Sequence, residues 1–195
     1  MGRDLPTLVS DFIIYPIKST NPHYMRSFFL LVIALISSSY ATEPNEYQWS
    51  KNYKVQVKDF QVDIEMTKQL ASIYTGIGMS KVPLKAYAIA NRQMSKISWR
   101  CYNGFRLKEV LEHEQIHFDI AEYVARRLNL ELLKNPINCE QLFTQYTDTL
   151  SLIQMVYDAQ TNHSNDLIWQ DKWRRNIDSL LNGQKILTQW KMYPY

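Results

Sequence analysis

In the segment "EHEQIHFDIAE", Glu112 to Glu122, two histidines stand four residues apart and a glutamate follows the first. Residues i and i+4 share one side of a helix, so His113 and His117 can direct their rings at one ion. Glu114, one residue on, is angled to reach a water on that ion rather than the ion itself. This is the H-E-x-x-H arrangement of zinc peptidases, spelled here "HEQIH". The two histidines belong to a stripe that is otherwise apolar: Val110, His113, His117, Ala121, Val124 and Leu128. Two inward-facing imidazoles without partners are costly, and a bound metal satisfies both.

A catalytic zinc takes three protein donors and leaves a fourth position open. Asp119 and Glu122 lie roughly 200° and 140° around the helix from His117, at about 100° per residue, so neither joins the same ion easily. The metzincin extension would need Gly at position 119 and His at 123, where this chain has Asp119 and Tyr123. The third donor must come from elsewhere. The sequence has four histidines, and once His23 is set aside with the leader only His163, in "YDAQTNHS", remains for the role. Asp158 is the rival, either as a ligand or as a group that orients a ligand histidine. Tyr157 is a candidate hydrogen-bond donor to a developing oxyanion, with a core position as its plainer role.

These residues need elements to hold them. From Phe105 onward the spacing predicts a helix carrying the histidines and ended by Asn135-Pro136. A second helix follows with Leu142, Tyr146, Leu150, Ile153 and Tyr157 on one face, and a third closes at Asn182-Gly183. Ahead of them, residues 53–66 alternate apolar and polar with a phase slip at Lys58-Asp59, which predicts two short strands around a turn or bulge. "KVPLKAYAIA", Lys81 to Ala90, reads as another strand, and Pro83 near its start suggests a sheet edge. The fold class expected is α+β: a small antiparallel β region, then a helical half bearing the H-E-x-x-H helix.

The chain has 195 residues, 46% hydrophobic and 21% charged, with a net charge of +3. Its basic residues are scattered, so no nucleic-acid face is expected. From Met25, "MRSFFLLVIALISSSYATEP" has one Arg, an apolar core over Phe28 to Ile36, serines, and small residues at Ser39 and Ala41. That is the layout of a signal peptide over residues 25–41. Its core is about half the roughly 20 residues a spanning helix needs, so no lasting membrane anchor is expected. Residues 1–24 have no place in such a signal and read as an upstream extension ahead of a start at Met25, the alternative being an unusually long n-region. Residues 42–195 are then one exported domain, periplasmic or secreted. Export makes a disulfide between Cys101 and Cys139 an expectation.

"LEHEQIHFDIAEYVARRL" together with the downstream "YDAQTNHS" and "WQDKW" resembles the bacterial domain-of-unknown-function family 922. Members of that family are described as secreted zinc-dependent proteases. "ASIYTGIGM" and "VPLKAYAIANRQMSKISW" resemble its β region, so the similarity spans most of residues 47–178. The second family motif carries Glu where this chain has Gln160 and Gly where it has Ser164. The resemblance implies a zincin-like fold.

The chemistry expected from the residues is peptide hydrolysis at zinc held by His113, His117 and His163, the metal lowering the pKa of a water to about 7. Glu114 takes the proton as general base and returns it to the leaving amine. The expected partner is a protein or peptide substrate, with the Lys81–Ala90 strand pairing with it along its edge. Alternatives are an amidase acting on cell-wall peptides and a non-catalytic exported metal-binding protein.

Overall fold

The computed structural model describes residues 44–183. The expected upstream extension and signal peptide lie outside those residues. Strands β1 (Glu46–Gln48), β2 (Gln61–Asp63), β3 (Ala71–Lys81) and β4 (Leu84–Ser98) form one sheet. Helices α1 (Trp99–Tyr102), α2 (Leu107–Lys134), α3 (Cys139–Thr161) and α4 (Leu167–Leu181) follow. The mixed α+β class and the division into a sheet and a helical half are as the sequence predicts. No described helix is long and apolar enough to cross a membrane.

The Lys81–Ala90 block is not at an edge. Its strand, β4, is the centre of the sheet: β3 pairs along one side of it, while β1 and β2 share the other. Pro83 lies in the tight connection between β3 and β4, outside both strands, so it removes no ladder hydrogen bond and marks no edge. Nor is the sheet wholly antiparallel, because β2 runs parallel to β4. The cause is the chain path. Residues 64–70 cross the C-terminal end of β4 and enter β3 on its far side, so β2 and β3 are separated by a strand and cannot form a hairpin.

The phase slip at Lys58-Asp59 becomes a 3₁₀ turn over Val57–Asp59, and only β2 of the two strands expected over 53–66 forms. The buried Asp59 carboxylate accepts from Gln56 N at 2.8 Å and from the Tyr53 hydroxyl, and pairs with Arg92 Nε at 3.1 Å. These bonds stabilise a turn more than an extended run does.

Helix α2 lies across the sheet because β4 offers it a low surface. Ala86, Ala88 and Ala90 are all buried, and on the helix Ala121 and Ala125 are fully buried. Small side chains on both elements let the backbones approach. Asn129 exploits that approach, accepting from Ala86 N at 2.7 Å and donating to Ala86 O at 2.8 Å. It covers a stretch of β4 that neither β1 nor β2 reaches. The predicted stripe from Val110 to Leu128 is buried throughout, and α3 and α4 close the other side of α2.

Cys101 and Cys139 are free thiols, contrary to the disulfide expectation. Cys101 precedes the 28-residue helix α2 and Cys139 follows it. At 1.5 Å per residue that helix is roughly 40 Å long, and with Cys101 packed near its first turns and Cys139 past its end the two lie far beyond the bridging limit of about 7 Å between Cα atoms. Burial, aided by the charge of Glu114, pushes the Cys101 thiol up to about 11. Under native conditions a thiol reagent is therefore expected to modify the half-exposed Cys139 and leave Cys101 protected until unfolding. Mass spectrometry of the alkylated protein checks this, and equal rates at both positions would contradict it.

Candidate metal centre

Helix α2 delivers His113, Glu114 and His117, and α3 delivers Asp158. Asp158 Oδ1 lies 3.0 Å from His113 Nε2 and 3.0 Å from His117 Nε2, and the two Nε2 atoms are 3.3 Å apart. Donors bonded at about 2.0–2.1 Å to a tetrahedral ion stand roughly 3.3–3.4 Å from one another. The triangle therefore fits a small divalent cation with little adjustment. Burial pushes the Asp158 carboxyl up, but its hydrogen bonds with His113 and His117 outweigh this and hold it well below the usual carboxylate range.

The rings are fixed by packing. Tyr157 stacks on His113 at 4.6 Å between centroids, meets His117 edge-on at 4.9 Å, and rests on Trp173 behind. Its side chain is fully buried, its hydroxyl is 3.4 Å from the His113 carbonyl, and it does not line the cavity. That placement aims the hydroxyl at the helix backbone and gives Tyr157 the core position expected as its plainer role, as the platform under the histidines. His113 Nδ1 is buried without a hydrogen-bond partner among the described residues, so stacking rather than an outer carboxylate orients that ring.

Glu114 is only 3% exposed and lines the same cavity of about 130 Å³. Its Oε2 accepts from Ile73 N at 2.8 Å. That amide is available because the β3–β4 register breaks between Ser72 and Tyr74, an irregularity that turns a ladder group toward the helix. Burial pushes the Glu114 carboxyl up to about 7, against the lowering effects of His113 and the Ile73 amide. A carboxyl in that range exchanges protons readily near neutral pH.

The third histidine stands at the rim. His163 Nδ1 is 3.5 Å from Asp158 Oδ1 and 3.4 Å from Gln69 Nε2, and its side chain is 47% exposed. It lines the cavity but is outside the group of three donors that lie within 4.8 Å of one another. Asp158 thus occupies the central place that elimination among histidines assigns to His163. Asp119 faces elsewhere, accepting from Trp49 Nε1 at 2.7 Å and from Gln115 Nε2 at 2.9 Å. Gln160 accepts from Trp173 Nε1 at 2.8 Å and ties α3 to α4, outside the cavity.

Several lining groups carry no signal in the sequence. Gln69, Ser72 and Ile73 come from the crossing segment and β3, far from the motif in the chain. Gln154 is the exception, because it precedes Asp158 by one helical turn and so shares its face. Its Nε2 donates to Thr75 Oγ1 at 2.7 Å.

Ser164 has a φ of +70°, a conformation open to glycine and strained for serine. Ser164→Gly is expected to raise stability by about 0.5–1 kcal/mol, the relief of strain exceeding the added freedom of the unfolded chain. Urea unfolding checks this, and a lower midpoint would mean the serine side chain contributes more than its backbone costs.

Comparison of the chain with protein-family models, with curated proteins and with solved structures finds no match.

Proposed function

We propose that the protein is a zinc-dependent hydrolase that cleaves peptide bonds after export. The observation that carries this reading is the convergence of His113, His117 and Asp158 on one point, with the buried Glu114 on the same cavity. In this reading zinc is held by His113, His117 and Asp158, and when bound it supplies a Lewis acid and lowers the pKa of water. Glu114 accepts the proton from the attacking water and passes it to the leaving nitrogen, its Oε2 steadied by the Ile73 amide. Strand β3, whose residues Ala71 to Ile73 line the cavity, replaces β4 as the strand along which an extended substrate would lie. A zincin-like fold and membership of family 922 are part of this proposal, supported by the "HEQIH" helix and the downstream "YDAQTNHS" segment.

Elemental mass spectrometry of the purified protein beside Asp158→Ala and His163→Ala tests it. Near-stoichiometric zinc, lost with Asp158→Ala and retained at saturating metal with His163→Ala, is the expected result. Failure of the unchanged protein to take up offered zinc would end the hydrolase reading.

A second reading is favoured by the closeness of His163 to Asp158. Four protein donors would fill a tetrahedral ion and leave no place for water, giving a structural site in a non-catalytic protein. Zinc lost from both variants, with no hydrolysis by the unchanged protein, would point there.

A further inference from the structure

The turn that carries His163 is built on three successive residues in the left-handed region. Asn162, His163 and Ser164 have φ values of 46°, 48° and 70°, and none is glycine. Such a run persists only where the surroundings impose it. Arg106 supplies much of that constraint. Its Nη2 donates to the Ser164 carbonyl at 2.5 Å, and its Nη1 donates to the Asn165 side-chain oxygen. Asn165 in turn donates to the Asn162 carbonyl from its backbone at 3.1 Å and from its side chain at 2.8 Å.

Arg106 is also the residue immediately before α2, with a φ of 53° and no side-chain cap on the helix. Its side chain is directed away from the helix it precedes and toward the turn. One residue therefore joins the start of the histidine helix to the turn after α3. The turn places His163 Nδ1 3.5 Å from Asp158 Oδ1, the oxygen already shared by His113 and His117.

We propose that Arg106 is a positioning residue for the metal-binding cluster: by fastening the Asn162–Asn165 turn to the start of α2, it holds His163 against Asp158, and His163 orients that carboxylate. This rests on the metal-binding reading above. Groups that orient a metal ligand from outside typically contribute roughly 10–100-fold to metal affinity. A bidentate guanidinium suits the task, since its planar fork engages a carbonyl and an amide oxygen together, whereas an ammonium is a point donor.

The test combines zinc affinity, by chelator competition, with amide hydrogen exchange on the metal-free full chain. Arg106→Gly removes the fork yet accepts the φ of 53° without strain, so entry into α2 is preserved. Arg106→Lys retains the charge and serves as the milder variant. Arg106→Gly is expected to weaken zinc binding roughly 10–100-fold, with part of the loss recovered in Arg106→Lys. In a His163→Ala background the same change is expected to cost less than about twofold, because both residues act through one contact.

Exchange should accelerate in Arg106→Gly at the amides of His163, Asn165 and Asp166, which donate to Asp158, Asn162 and Thr161 carbonyls. An Arg106→Gly loss of equal size with and without His163, or unchanged exchange at these amides, overturns the proposal. If the unchanged protein binds no zinc, the metal reading fails instead. Exchange on the metal-free chain then decides by itself whether Arg106 fastens the turn.

Discussion

Glu114→Gln is expected to lower hydrolysis of a denatured protein substrate by at least about 10²–10⁴-fold, the usual contribution of a general base, while zinc stays near one per chain. Glutamine is the informative replacement. It keeps the volume of the glutamate in a buried position and still presents an oxygen to the Ile73 amide, so the tie between α2 and β3 survives. It removes only the ability to take a proton. Glu114→Ala would confound the result, because an unpaired Ile73 amide in a buried site costs about 1–3 kcal/mol on its own. Activity retained in Glu114→Gln would remove Glu114 from the mechanism, and zinc lost with the activity would recast it as part of the binding site.

The second large effect needs no substrate. Zinc at about a thousandfold over its dissociation constant is expected to stabilise the protein by about 4 kcal/mol, provided the unfolded chain does not bind it. For a domain of this size that is roughly 10–15 °C in Tm. Chelation should reverse the shift, and His117→Ala should show none, because one vertex of the donor triangle is gone. His117→Ala also vacates space beside Tyr157, so its metal-free Tm is the proper baseline. A zinc-induced rise of the same size in His117→Ala would place the ion elsewhere. No rise in the unchanged protein would contradict the metal centre.

Much of the helical half is legible in the chain. The three- and four-residue spacing from Val110 to Leu128 needs no partner to be read, because helix periodicity is local. The same holds for the stop at Asn135-Pro136 and the glycine after Asn182, which closes α4 with a positive φ. The sheet is harder. Residues 53–66 alternate as a strand does, yet Asp59 finds Tyr53, the Gln56 amide and Arg92, and a turn results. Pro83 reads as an edge signal, yet it belongs to the connection, and its strand is central. Strand order depends on which segments meet across long sequence separations, and no local pattern records that.

The site divides in the same way. The placement of His113 and His117 on one side of α2 is legible in the sequence alone, since four-residue spacing within a helix puts two rings on one side whatever surrounds them. The placement of Asp158 and His163 relative to those rings is not. Five residues apart at the end of α3, they differ in that Asp158 is still on the helix and His163 is past its left-handed C-cap. The path beyond that cap depends on Arg106, more than fifty residues earlier in the chain. Only the packing of α3 against α2 brings the Asp158 oxygen between the two imidazoles, and only the register break in β3 supplies the amide that holds Glu114. Spacing along one helix is a property of the backbone, whereas a donor from a second helix is set by how the two helices meet.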